Sequence, residues 1–562
     1  MNYDFTFRSR RSNVLTTHGM VATSHPLASL VGLDMLRSGG TAADAAVAAV
    51  ALLGVVEPFS SGVGGDCFAL YWDAATRKVY ALNASGPSAR SSSLQELLEA
   101  GYEHYPMWSG QAVSVPGAVA GWQALLKRFG RFQFAEVLQP AIDYAEQGFP
   151  VAEFIAHGWA SMPAKLLRDK PEVEQANLLH QRLIGPLQPS GNEFLLDGRP
   201  PLAGEVMHLP TLAGTLRHIA LEGQNFIYKG ELAGEICSHV QRYGGWLTRE
   251  DLAGFQAEWI EPISADYHGY CLHECPPNGQ GLAATIAASI ANGFDLAEMD
   301  MDARAHTLVE CMRLGFGEAL AWVCDPRVHP LPLRDLLDPA YIASRRKLIH
   351  PRQTLEHFDS GIHMTGDDTT YLSVIDKSGN ACSMICSLYY GGGTGLVVPG
   401  RGVLLQNRAS TFSLDPEHPN ALAGGKRPYQ TIIPAMITHQ EELFACLGVM
   451  GGYMQPQGHL QMLINLVDLK HNPQQALDMP RFCLDILGGG VGSRDPGGLL
   501  WLEEGWQPQS VAYLKTRGHQ VKLLGGYERV RFGGGQIIMR DPQSGLLCAG
   551  SDPRKDGCAI GY

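Results

Sequence analysis

The apolar and polar positions of this chain fall into two regimes. From 42 to 56 alanine, valine and leucine fill nearly every place, and a helix apolar on nearly every side belongs inside a core. Thr41 and Asp44, after Ser38-Gly39-Gly40, form the N-cap pair that starts it. Glu57-Pro58 stops it, and Gly62-Val63-Gly64-Gly65-Asp66 leads into a strand-like run at 67–72. Helical spacing dominates 134–182, a Gly/Pro-rich connector covers 185–201, Leu209-Pro210-Thr211-Leu212-Ala213 opens another helix, and 301–321 is a further one. Strand-like patterns return at 371–376 and 381–388, where β-formers flank Lys377-Ser378-Gly379-Asn380, so the pair predicts an antiparallel hairpin. A last short strand at 444–447 runs into Gly448-Val449-Met450-Gly451-Gly452.

The hairpin sets a chemical geometry. If it closes about its polar turn, Thr369 and Ser387 stand opposite each other. Opposed residues have Cβ atoms about 5 Å apart, within reach of a bond between two hydroxyls. Thr369 follows a polar stretch, 359–368, and this is the arrangement a self-cleaving hydrolase needs. Once the Asp368–Thr369 bond breaks, the new α-amine sits beside the hydroxyl and can act as its base. β-propensity alone also puts threonines at strand starts, and more often than catalysis does.

Other motifs exclude chemistry. The glycines at 62–65 follow a helix instead of opening one, the wrong order for a phosphate cradle. Cys271, His273 and Cys275 on a strand would point to one face in a row too straight to wrap a tetrahedral ion, so no metal and no cofactor is expected. Of the 562 residues, 45% are hydrophobic and 18% charged, as in soluble globular proteins. The net charge of −13, with no long basic run, would repel a nucleic acid. The longest apolar run, 45–56, is too short to cross a bilayer, and Arg8, Arg10 and Arg11 are followed by no secretory apolar region. Twelve dispersed cysteines suit a reducing compartment. A soluble, cytoplasmic protein with neither membrane nor nucleic-acid partner is the expectation.

The surroundings of Thr369 resemble the gamma-glutamyltransferase family of N-terminal nucleophile hydrolases. Thr369-Thr370-x-x-Ser373-Val374-x-Asp376-x-x-Gly379-Asn380 looks like that family's processing site. Gly39 through Glu57-Pro58 and Gly62 to Gly65, Val113 to Trp122, the turn Pro276-Pro277-Asn278-Gly279-Gln280-Gly281, and Ser551 to Gly557 resemble further family segments, over nearly the whole chain. The resemblance implies an α/β fold of four layers, an αββα sandwich. It also implies processing into a large chain, 1–368, and a small chain, 369–562, which stay together as one domain. Thr369 is then the nucleophile, Ser387 a hydroxyl that bonds it, and Gly451 and Gly452 the oxyanion hole.

The positions that hold a γ-glutamyl group depart from the family pattern. The early loop reads Asn83-Ala84-Ser85-Gly86-Pro87 where the family has an arginine, and Arg427-Pro428 is followed by Tyr429, Gln430 and Thr431 in place of two serines. Tyr389, Arg408 and Thr411 stand where the family holds the substrate's α-amino group. Arg408 there would attract a carboxylate, and the residue type is equally compatible with a solvated surface arginine. With Leu405-Gln406-Asn407 before it, and no counterpart of the usual lid over 412–426, the segment resembles the oxamate amidohydrolase branch of the family. The expected partner is a small anionic amide, bound by Asn83, Tyr389, Arg408, Thr411, Gln430 and Thr431. The alternatives are a gamma-glutamyltransferase or glutathione hydrolase with a rebuilt pocket, and an unprocessed binding protein.

Overall fold

The structure, a computed structural model, describes residues 11–166, 191–355, 368–485 and 499–562. Most of the polar stretch ahead of Thr369, and parts of the expected helical region and connector, lie outside these residues.

The helix Ala42–Val56 forms where the pattern places it, and all of its residues are buried. Its capping box is closed by Asp44, whose carboxylate accepts the Thr41 N–H at 2.8 Å and also those of Arg131 and Phe132. The helix packs on a seven-stranded sheet with the order Cys558–Gly561, Met20–Thr23, Asp368–Ile375, Ala381–Tyr389, Asp66–Asp73, Lys78–Ala84, Glu258–Ile260. A second seven-stranded sheet runs Val14–Thr16, Leu547–Ser551, Gly534–Arg540, Glu442–Met450, Ala435–His439, Tyr270–Glu274, Ile263–Tyr267. Every ladder within both sheets is antiparallel.

Three apolar clusters give the layer order. Tyr371, Ile375 and Ile385 of the first sheet meet Met436, Cys446 and Ile538 of the second between the sheets. Leu372, Val374 and Met384 point the other way, into the core with the Ala42–Val56 helix. On the far side of the second sheet, Ile437 and Leu447 pack under the helices Gly281–Ala291, Met301–Trp322 and Met454–Val467. Central strands buried on both faces read as continuous apolar runs, which is why the hairpin shows little alternation. The result is the four-layer αββα sandwich of the N-terminal nucleophile hydrolases. Both sheets draw strands from before and after residue 369.

The hairpin is longer than its apolar runs, Asp368–Ile375 and Ala381–Tyr389, because its polar ends pair as well. Asn83 and Ala84, read from the sequence as loop, close the strand Lys78–Ala84. His273 stays on its strand and its Nε2 lies 2.9 Å from Thr438 Oγ1. None of the twelve cysteines is in a disulfide. Among the described residues no helix is long and apolar enough to cross a membrane.

Candidate active site

Thr369 lies at the open end of the hairpin. The register pairs Thr370 with Cys386, then shifts so that Asp368 meets Tyr389, which puts Thr369 in the irregularity beside Ser387. Its hydroxyl donates to Ser387 Oγ at 3.2 Å. Odd-numbered neighbours on both strands face the space between the sheets, and these two hydroxyls share that direction. Ser387 Oγ also accepts the Tyr389 N–H at 2.8 Å, a local turn made possible by the positive φ of 79° at Tyr389. The glycine loop 62–65 presses on this strand from below. A Cβ at Gly65 would stand 2.5 Å from the Ser387 carbonyl oxygen and one at Gly64 would stand 2.1 Å from that of Leu404, so close backbone approach explains these glycines.

Arg408 opens the short turn Arg408–Thr411 and is completely buried, which removes the reading of a solvated surface arginine. Its Nη1 donates to Thr431 Oγ1 at 2.8 Å and its guanidinium lies over the Tyr389 ring, 4.4 Å from the centroid. Nε and Nη2, the two donors of one edge of the fork, have no hydrogen-bond partner among the described residues. The nearest acid is Asp66, whose Oδ2 stands 3.9 Å from Nε, an ion pair without a hydrogen bond. Burial lowers the Arg408 pKa to about 10, with Asp66, Tyr389 and Tyr453 opposing the shift.

Asp66 was not legible as a site residue. It begins the strand Asp66–Asp73, is wholly buried, and is the cross-strand neighbour of Ser387. Its carboxylate accepts the Gly86 N–H at 3.1 Å, Gln406 Nε2 at 3.0 Å and Gln430 Nε2 at 2.5 Å. Burial raises its pKa to about 6 against the pull of Arg408 and these donors. The available signal was an ionisable residue ending a glycine loop in front of a fully apolar strand.

The remaining expected residues divide. Thr431 holds Arg408 and Gln430 holds Asp66, so both line the charged pair. Thr411 Oγ1 lies 2.8 Å from the carbonyl oxygens of both Arg408 and Tyr429, which occupies it with the backbone. Asn83 donates to Asn278 Oδ1 at 2.9 Å and accepts from the Ser85 N–H and hydroxyl, so it braces two loops. Gly451 and Gly452 follow the strand Glu442–Met450 with φ of 121° and 55°, and the helix Met454–Val467 starts just after them. Gln280, also missed, ties this turn to the pocket, since its Nε2 donates to Gly452 O at 2.9 Å and to Thr431 O. An unbroken line of contacts therefore runs Thr369, Ser387, Tyr389, Arg408, Thr431, Gln280, Gly452.

Away from this line, His306, Glu310 and His519 bring donor atoms within 4.8 Å of one another. Glu310 already accepts from Thr354 Oγ1 and the Leu355 N–H, and Arg313 Nε lies 3.1 Å from it, so its carboxylate is committed.

Comparison with known proteins identifies the family of the chain. The gamma-glutamyltranspeptidase family profile matches residues 28–562. The chain is 34% identical over 556 residues to the glutathione hydrolase-like YwrD proenzyme of Bacillus subtilis, covering 98% of this chain and 99% of that one. It is 32% identical to the oxamate amidohydrolase proenzyme of Klebsiella pneumoniae, covering 98% and 100%. The crystal structure of cephalosporin acylase from Bacillus halodurans superposes with a TM-score of 0.86 at 38% identity, covering 100% of this chain and 99% of that one. The chain belongs to the gamma-glutamyltranspeptidase family, among relatives named as glutathione hydrolase, amidohydrolase and acylase proenzymes.

Proposed function

We propose that this protein is a self-processing amidohydrolase that uses Thr369 as an N-terminal nucleophile on a small amide bearing one carboxylate, of the oxamate type. In processing, Thr369 Oγ1 attacks the carbonyl carbon of Asp368, the peptide bond breaks as an ester forms, and water hydrolyses the ester. The products are a free Asp368 carboxylate and a free Thr369 α-amine, on chains 1–368 and 369–562 that remain associated as a heterodimer. Twelve cysteines with no disulfide among them suit the reducing cytoplasm.

In turnover the α-amine takes the hydroxyl proton while Ser387 fixes the hydroxyl's direction. Thr369 Oγ1 adds to the amide carbon, and the developing oxyanion faces the Gly451 and Gly452 amides, whose positive-φ turn lets successive N–H groups converge. Ammonia leaves with the proton, and water releases the acyl group as a carboxylate. The substrate's own carboxylate takes the open edge of Arg408.

The observation that carries this reading is that edge: a buried guanidinium whose Nε and Nη2 have no hydrogen-bond partner among the described residues, three contacts from the Thr369 hydroxyl by way of Tyr389 and Ser387. A buried donor pair left empty is costly, and a carboxylate is the group that fills two parallel N–H bonds. The experiment is side-by-side kinetics on oxamate and a γ-glutamyl anilide, with denaturing gel electrophoresis of the same preparation. Higher kcat/KM on oxamate from a two-chain protein is expected. Higher kcat/KM on the γ-glutamyl compound would return the protein to the glutathione-hydrolase reading, and full activity from one intact chain would end the nucleophile assignment.

A further inference from the structure

Resting on the reading that Arg408 takes the substrate's carboxylate, the geometry points to a second role in the same pocket. We propose that Asp66 is its specificity-determining residue, a fixed anion that holds Arg408 in place and restricts the site to ligands carrying a single negative charge, so that a dicarboxylate product is expelled. Asp66 stands beside both ends of the ligand's path. Its Oδ2 is 3.9 Å from Arg408 Nε, and in the sheet it is directly paired with Ser387, the residue that bonds the Thr369 hydroxyl. Directly opposed residues project to the same face of a sheet. A ligand reaching from the fork to the nucleophile therefore passes the carboxylate along its length.

Asp66 cannot turn away. Gly86, Gln406 and Gln430 donate to it from three separate segments, and it is completely buried. Alone, Arg408 would favour the ligand with more negative charge. With Asp66 ionised the pair is neutral, so a first carboxylate still takes the Nε and Nη2 donors of Arg408 while a second meets the repulsion of the Asp66 carboxylate. Hydrolysis of a monoamide monoanion by water gives the dicarboxylate and ammonia, so the second charge appears only at the end of the reaction, next to Asp66.

The other titratable groups around the pair are the Tyr389, Tyr453 and Tyr228 phenols and the Cys67 and Cys386 thiols. Burial pushes Tyr228, Tyr453 and Cys67 upward, away from the range of interest. A freed Thr369 α-amine titrates at about 7.7–8.0, above it. Burial raises the Asp66 pKa to about 6, so its carboxylate changes charge between pH 5 and 7.

The test is calorimetric binding of pyruvate and oxalate to the processed wild-type protein, two ligands of similar size with one and two charges. Both remain ionised above about pH 5. At pH 7 pyruvate should bind about tenfold or more tightly than oxalate, and the preference should shrink as pH falls to 5. Asp66→Asn should raise oxalate affinity about tenfold more than pyruvate affinity and flatten the pH dependence of the ratio. A wild-type preference for oxalate, a ratio flat from pH 5 to 7, or an Asp66→Asn ratio equal to wild type would overturn the proposal. The wild-type pH series decides the matter if the variant does not fold. Arg408→Gln separates this inference from the reading beneath it. Loss of both ligands in that variant keeps the carboxylate pocket whatever Asp66 does, whereas binding of neither ligand by the wild type, or binding unchanged in Arg408→Gln, removes pocket and inference together.

Discussion

Arg408 and Arg554 are equally buried, at 0% and 1% exposed, and opposite in what fills them. Arg554 belongs to the Ser551–Gly557 segment. Its Nε and Nη2 meet the Glu503 carboxylate, its Nη1 meets Asp552 at 3.1 Å and Leu477 O at 2.8 Å, and its Nη2 also reaches Met479 O at 2.9 Å. Arg481 and Arg529 share the same acids. The surrounding carboxylates raise the Arg554 pKa despite burial, while that of Arg408 falls. One arginine is saturated by its own chain and the other keeps an edge empty. The lesson is that burial of a charge says little by itself, and the inventory of its donors separates a structural ion cluster from a waiting site.

The comparison can be broken at several points. The largest effect belongs to Thr369, because the empty fork has meaning only if a nucleophile lies beside it. Thr369→Ala should remain one chain on a denaturing gel and lose activity by about 10⁴-fold or more. Full activity in that variant would leave Arg408 with nothing to serve.

Arg554→Leu comes next, and its effect should be on stability. Glu503 would keep only Arg529 and Asp552 only Arg481, leaving the buried cluster one cation short at a cost of about 3–5 kcal/mol, read as a large drop in thermal midpoint. A midpoint within a degree of wild type would refute the saturated half of the contrast. Arg408→Lys should do the reverse. Lysine supplies charge without the fork, so kcat/KM on oxamate should fall roughly 100- to 1,000-fold with little change in midpoint. Undiminished oxamate turnover in Arg408→Gln would sink the open-fork reading.

Ser387→Ala should cost less, roughly 10- to 100-fold in turnover, with the chain still cleaved. An unchanged rate would take Ser387 out of the site. The smallest effect is a difference of sign with pH. Glu503 and Asp552 are held below the usual carboxylate range, Glu503 chiefly by Arg554 and Asp552 by Arg481 and Arg554, against the cost of burial. Their contribution is present above the unfolded value and lost as acid brings the pH through their folded values. Asp66 has a raised pKa of about 6, so the native state takes up its proton first, and stability from this group grows as pH falls from about 6 toward 4. Thermal unfolding of Asp66→Asn should lack that rise, a difference of about 1–3 kcal/mol over the window. Parallel curves for variant and wild type would count against it.

Much of this was legible because it is local. The capping box of Thr41 and Asp44 spans four residues, the hairpin turn is contiguous, and Thr369 meets Ser387 by simple counting across it. What escaped depends on contacts between distant segments. Asp66 gains its meaning from Gln406 and Gln430, 340 and 364 residues away, and no pattern around Asp66 announces them. Arg408 looked as much like a surface residue as a binding one because its flanking sequence does not encode the sheets that cover it. Asn83 and Thr411 are the converse, polar residues at suggestive positions whose side chains are engaged in bracing loops.

The order of strands in the first sheet carries one more consequence. Cys558–Gly561 lies outside Met20–Thr23, which lies beside Asp368–Ile375, which is followed by Ala381–Tyr389 and then Asp66–Asp73. Residues from before and after position 369 are thus shuffled like two interleaved decks. A cut ahead of Thr369 would divide the covalent chain without dividing the sheet, and neither piece would carry the instructions for a complete one. The mature assembly would then be reachable only by way of the uncut precursor, a history-dependent state whose separated pieces, once unfolded and mixed, should fail to find it again.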